Sequence, residues 1–201
     1  GQAPIEEIAR LPAAALQPMN QARSFEIGRG ALWLRFEQPS LDALRSWFLV
    51  LEGTAFTDRA TLYQEGAGGQ WVAQEAGDHL SVSAWTHPDR IPVFALDGRA
   101  GSVVWLRMKN YPAPMSPSLR LMDARDLQAS QNLSLVLLGG YLGFGLMVLF
   151  LGWVHVRLYG DRVFIAYVTY VACMLTFQVS FTGLGGLLFW PNMPRWNDVA
   201  P

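Results

Sequence analysis

Residues 132–156 read NLSLVLLGGYLGFGLMVLFLGWVHV, 25 positions without one Asp, Glu, Lys or Arg. A helix rises about 1.5 Å per residue, so roughly 20 apolar residues cross a hydrocarbon core about 30 Å thick. The core helix of a soluble protein rarely stays free of charge over about seven turns. A short turn, RLYGDR, follows at 157–162, and residues 163–181 are again free of charge. Two membrane-spanning helices are expected, over about 133–154 and 163–181. They place what comes before residue 132 on one side of a lipid bilayer and the 157–162 turn on the other.

Charge divides the chain in the same place. Residues 1–126 hold 12 basic and 14 acidic side chains, whereas 127–201 hold only Arg157, Arg162, Arg195, Asp161 and Asp198. The first part is long enough for one domain with its own core. With a net charge of −1 and no basic patch, the chain has no footprint for nucleic acid. Cys173 is the single cysteine, so no disulfide forms within the chain. Two arginines in the 157–162 turn place that turn in the cytoplasm by the positive-inside rule, and the N-terminal domain outside. A domain exported this way needs a leader. The absence of one before Gly1 fits either its removal or a cut made there.

Residues 1–23 read as a polar lead-in, with a turn or two of helix from Pro4 to Arg10. From residue 24 the period changes to two. Strands are expected near 31–36, 45–51, 60–64, 70–73, 91–96, 102–109 and 118–122. Turn formers lie between them, among them Gly77-Asp78, Pro88-Asp89 and Asp97-Gly98. Seven short strands at this spacing predict an all-β antiparallel sandwich or barrel over 24–126. Trp33-Leu34-Arg35 and Trp105-Leu106-Arg107 share a pattern. Alternation along a strand turns each Leu inward and puts Trp and Arg together on the other face. There they stack on one another as structure, or they form a sugar or anion site. Residues 123–131 (DARDLQASQ) suit the first turns of a helix running straight into the first span, with Asp123 and Asp126 at its positive dipole end. Residues 127–159 are this linker and the first span, and 160–201 the second span and the loop after it. Gly139 and Gly143, with the extra Gly140 and Gly145, give the first span a small-residue face where another helix can come close.

No catalytic constellation is visible. His79 and His87 lie eight apart around a turn and His155 is far along the chain, so no metal-ligand spacing arises. No Gly-x-Ser-x-Gly elbow occurs. No cofactor is expected. A membrane-tethered carbohydrate-active enzyme would need a carboxylate pair, for which Asp58, Glu75, Asp78 and Asp89 are the candidates. What remains is recognition. Trp71, Trp85, His87 and Arg90 lie in or near loops, where they either hold a small sugar or carboxylate, face a partner protein, or act as lids over the core.

The order of Gly28, Gly30 and 31–36 (ALWLRF), then 60–63, Gly77-Asp78, Phe94 and 104–107, resembles the type 2 extracellular domain of bacterial seven-transmembrane receptors with diverse intracellular signalling modules. Residues 139–146, and 182–191 with Trp196, are similar to the start and loop of that family's first two spans. The resemblance implies a jelly-roll sandwich like those of carbohydrate-binding modules. It also implies a periplasmic sensor on a bacterial inner membrane, controlling a diguanylate cyclase, phosphodiesterase or histidine kinase. Five further spans and that module would follow Pro201. Ala84-Trp85 stands where the family has an Arg, and no family catalytic residue has a counterpart. The expected function is therefore an input region that senses a ligand or a periplasmic protein, as a monomer or a homodimer. The rival is a membrane-anchored carbohydrate-binding or scaffold module without output.

Overall fold

The structure, a computed structural model, describes residues 3–19, 25, 30–42, 44–52, 57–66, 68–111, 114–115, 117–193 and 196. Gly28, Asn20 and Arg195 lie outside the described residues. A single helical turn, α1 (Ile5–Ile8), precedes seven strands: β1 (Leu32–Glu37), β2 (Trp47–Glu52), β3 (Arg59–Glu65), β4 (Trp71–Ala76), β5 (Val93–Leu96), β6 (Val103–Lys109) and β7 (Ser118–Asp123). They form two antiparallel sheets, in the orders β1-β6-β3-β4 and β5-β2-β7. The chain crosses between the sheets at every step except β3 to β4, which gives an antiparallel sandwich of the jelly-roll-like kind that the family resemblance implies.

The core lies between the sheets. Leu34 and Phe36 of β1, Ala60 and Leu62 of β3, and Val104, Leu106 and Met108 of β6 face Leu49 and Leu51 of β2 and Phe94 of β5. Leu62, Phe94, Val104 and Leu106 are wholly buried. β2 differs from its neighbours, because its apolar run Trp-Phe-Leu-Val-Leu does not alternate. The reason is a second cluster on its outer side, where Val50, Val93 and Met122 meet Leu127. Leu127 belongs to the following helix, so β2 is covered on both faces.

Two inward-facing polar residues join the sheets at one edge. The Gln64 and Gln74 side-chain amides each donate to the Ala95 carbonyl at 2.7 Å, and Gln74 Oε1 accepts from the Ala95 N–H at 3.0 Å. Gln64 Oε1 accepts from the Asp97 N–H at 3.0 Å. These amides act as a surrogate strand for the free edge of β5, whose backbone groups would otherwise be unpaired. The β4 exit turns at Gly77, with φ +135°, and a Cβ there would sit 2.6 Å from the Asp58 carbonyl oxygen. Only glycine fits this close approach of two backbones.

Beyond β7 the chain becomes α2 (Ala124–Tyr159), 36 residues without interruption. Gly160 ends it in the left-handed region, with φ 63° and its N–H donating to the Val156 carbonyl. Asp161 then caps α3 (Arg162–Phe181) by accepting from the Val163 N–H. The helices pack where α2 is thinnest. A Cβ on Gly145 would overlap the Leu175 side chain, and one on Gly152 would lie 2.8 Å from Val168. Elsewhere their apolar side chains point outward: Val136, Leu137, Phe144 and Phe150 of α2 and Tyr170 and Phe177 of α3 are exposed. Both helices are long and apolar enough to cross a membrane, and water is a poor solvent for that surface.

Removing a wholly buried aromatic leaves a cavity among neighbours that cannot collapse. Phe94→Ala is expected to cost about 3–5 kcal/mol, whereas Val72→Ala at the half-exposed edge is expected to stay within about 0.5 kcal/mol. Denaturant unfolding of the detergent-solubilised chain, followed by tryptophan fluorescence, measures both. Equal midpoints for the two variants contradict the assignment of the core.

Candidate functional site

The residues singled out for recognition separate into three places. Trp33, Arg35, Trp71, Trp105 and Arg107 share the outer face of the four-stranded sheet. Register explains this, because Trp33 pairs with Arg107 and Arg35 with Trp105 across β1 and β6, while Trp71 pairs with Glu65 across β3 and β4. The Arg107 guanidinium lies 5.8 Å from the Trp33 ring centre, a cation–π distance. Trp33 also stacks on Tyr63 at 5.7 Å and meets Trp105 edge-on at 6.4 Å. Arg35 pairs instead with Glu37 on its own strand, at 3.3 Å.

Part of this face is covered. Trp105 is only 2% exposed and Ile5 of α1 only 6%. Burial pushes the Tyr63 phenol above its ordinary pKa. The Trp33 indole N–H has no acceptor among the described residues. The face is thus an aromatic layer in which Trp33 and Trp71 are partly exposed.

Trp85 lies elsewhere. It closes a 3-10 turn (Val82–Ala84) and is 5% exposed within the core cluster, so its ring is a core element and offers no surface for stacking. His87 packs edge-on against Phe48 at 5.2 Å. Arg90 donates to the Thr182 carbonyl at 3.2 Å, beyond the end of α3. His87 and Arg90 therefore mark the end of the sandwich that meets the helices.

That end holds the most closely tied group of polar side chains in the structure. Asp123 is both the last residue of β7 and the N-cap of α2. Its Oδ1 accepts from the Arg125 and Asp126 N–H groups at 3.0 and 2.9 Å, and its Oδ2 accepts from Arg45 Nη1 at 2.7 Å. The hydrogen bonds from the Asp126 backbone and from Arg45 hold the Asp123 carboxyl below the usual carboxylate range. Arg45 comes from the β1–β2 loop, where Asp42 accepts from it as well and the Ser46 carbonyl accepts from the Ala124 N–H at 3.1 Å. One turn along α2, Leu127 enters the second cluster, and a further turn along, Gln131 donates to Asp89 at 2.6 Å. Val50, Ile91, Met122, Leu127 and Gln131 line a cavity of about 40 Å³ at this joint. Sheet, loop and helix are tied together at this junction.

Sequence reasoning placed Asp123 at a helix start but did not find Arg45, Gln131 or Ser83, whose roles depend on partners 78, 42 and 109 positions away. Gln64 and Gln74 were legible in principle, since each is a polar residue at an inward position of an alternating strand. Gly139 and Gly143 open onto free space, where a Cβ would meet nothing within 4 Å. The close contact between α2 and α3 is made at Gly145 and Gly152 instead. Of the enzyme candidates, Asp58 accepts from the Tyr111 N–H, Glu75 pairs with Arg59, and Asp89 holds Gln131. Among the described residues, no three His, Cys, Asp or Glu side chains converge as a metal site would need.

Comparison with known families follows the same division as the structure. Residues 1–123 match the family model described as 7TMR-DISM extracellular 2, and residues 132–201 match the one described as 7TM diverse intracellular signalling. Both matched domains are sensor or membrane domains rather than catalytic ones. No curated protein matches the chain significantly. The first match ends at Asp123, the residue where the sandwich hands over to α2. The chain is a membrane protein with an N-terminal outer domain, and it belongs to the 7TMR-DISM receptor family.

Proposed function

We propose that this chain is the input region of a bacterial inner-membrane receptor, with the sandwich in the periplasm and α2 as a stiff rod that carries its state toward the cytoplasm. The observation that supports the reading most directly is the joint at Asp123, where no flexible residue separates the last strand from the first turn of the membrane helix. A scaffold that only holds a domain at a membrane has no need of such a joint, and a Gly/Ser linker would serve it. A ligand acts by binding one arrangement of the sandwich more tightly than another, and a rigid junction passes that bias on.

The candidate ligand surface is the aromatic layer at Trp33, Trp71 and Arg107, suited to a small carbohydrate or to a carboxylate, with a periplasmic protein as the other candidate. The output module lies outside this sequence. The family's description as a diverse signalling receptor fits a diguanylate cyclase, a phosphodiesterase or a histidine kinase.

Two outcomes are expected. In the full-length receptor, inserting four Gly after Ser130 uncouples input from output while membrane insertion persists, and unchanged signalling overturns the stiff rod. Secondly, the Asp123 carboxyl titrates lower in the folded state than in the unfolded chain. Its contribution to stability is therefore complete above the ordinary Asp pKa of about 3.9 and is lost as pH falls through the lowered native value. Asp123→Asn keeps a capping oxygen but cannot titrate, so the acid limb of the melting temperature below about pH 4 is expected to flatten. An acid limb identical to that of the parent chain contradicts the role given to this carboxylate.

A further inference from the structure

The segment after α3 returns to the sandwich. A turn at Thr182 and Gly183 leads into a short π-helical turn (Gly185–Phe189), and the segment is two-sided. Leu184, Gly185 and Gly186 are buried and Leu187 packs against the sandwich core, whereas Leu188 and Phe189 are exposed. A Cβ on Gly185 would collide with the Trp190 ring, which folds back over the turn while the Trp190 N–H donates to the Gly185 carbonyl at 2.9 Å. Polar contacts from Ser83 and Arg90 pin the segment from the sandwich side. Ser83 Oγ lies 2.6 Å from Asn192 Oδ1, and the Ser83 N–H donates to the Pro191 carbonyl at 3.4 Å. Arg90 Nη1 donates to the Thr182 carbonyl at 3.2 Å.

We infer that the face formed by Val82–Ala84 and Arg90 is an internal docking site whose occupant is the chain's own segment 182–192, so that the sandwich grips α3 as well as α2. The inference rests on the receptor reading and adds a second arm to it. Arg90 holds the carbonyl that immediately follows α3, as Arg45 holds the cap that immediately precedes α2. The two grips differ: α2 is held by the β1–β2 loop and β7 at its first turn and by Asp89 of the β4–β5 connection at Gln131, whereas the carbonyl that ends α3 is held by Arg90 of that connection. The two helices meet at the glycine seam of Gly145 and Gly152, where side chains leave little slack. A shift of the β4–β5 connection relative to β7 is then read as a shift of α3 against α2, which a single rod could not register.

Hydrogen exchange of the chain in phospholipid nanodiscs tests this without a ligand. Loss of a hydrogen bond from a charged donor together with a neutral one is expected to speed exchange by about tenfold or more where they acted. In Ser83→Ala with Arg90→Ala, the amides of 182–190 and of the last turn of α3 (177–181) accelerate and those of 124–128 do not. In Arg45→Ala the pattern reverses. Asn192→Ala removes the grip from outside the sandwich and is expected to act like the first variant, which covers the case in which the double variant loosens the sandwich itself. Unchanged exchange at 182–190 in both the double variant and Asn192→Ala overturns the docking site. Acceleration that stops at residue 182 and leaves 177–181 untouched overturns the coupling to α3. If Arg45→Ala leaves 124–128 unchanged, the rigid-rod reading fails while the docking site stands.

Discussion

The structure depends on one helix that must satisfy two media. α2 has 36 residues, about 54 Å of rod at 1.5 Å per residue, whereas about 20 residues suffice to cross a bilayer. The excess is its N-terminal turns, and these belong to the sandwich. Leu127 completes the apolar cover of β2, Gln131 reaches Asp89, and Asp123 satisfies the orphan N–H groups at the helix start while bonding Arg45. The same helix then exposes an unbroken apolar surface that only lipid or other helices can cover. A domain built this way cannot move as a unit without moving the rod, because the first turns of the rod are part of its second core cluster.

The sandwich is organised around this attachment. Its four-stranded sheet carries the outward aromatic layer, and its three-stranded sheet carries the helix junction. Between them, the glutamine clamps at Ala95 and the wholly buried layer of Leu62, Phe94, Val104 and Leu106 couple the two sheets closely. Packing of that density transmits displacement rather than absorbing it. The aromatic face and the face that holds α2 are thus opposite sides of one sandwich.

Much of this was legible in the sequence, for physical reasons that can be named. The strands follow from alternation, or for β2 from a compact apolar run, and from the turn residues between them, and the extended α2 follows from the absence of Gly or Pro between Asp123 and the apolar run. The Trp-x-Arg pairs face one another because period two leaves them no other face. Trp85 shows the limit: a Trp between Ser, Ala, Thr and His looks like a loop residue, yet a 3-10 turn rotates it into the core. Arg45 and Arg90 show it again, since a lone arginine near a turn carries no mark of a helix end dozens of positions away. The glycines divide similarly. Gly139 and Gly143 have the familiar spacing, but the seam with α3 runs through Gly145 and Gly152, and only the relative rotation of the two helices decides between them.

The central claim is that α2 is a single rod shared by an outer domain and a bilayer. Single cysteines in place of Leu44, 95% exposed on the β1–β2 loop, and of Tyr159, 71% exposed at the far end of α2, test it most directly in a Cys173→Ser background. A membrane-impermeant maleimide applied to intact spheroplasts is expected to label the first and to reach the second only after permeabilisation. Labelling of both positions in intact spheroplasts, or of neither, would contradict the account.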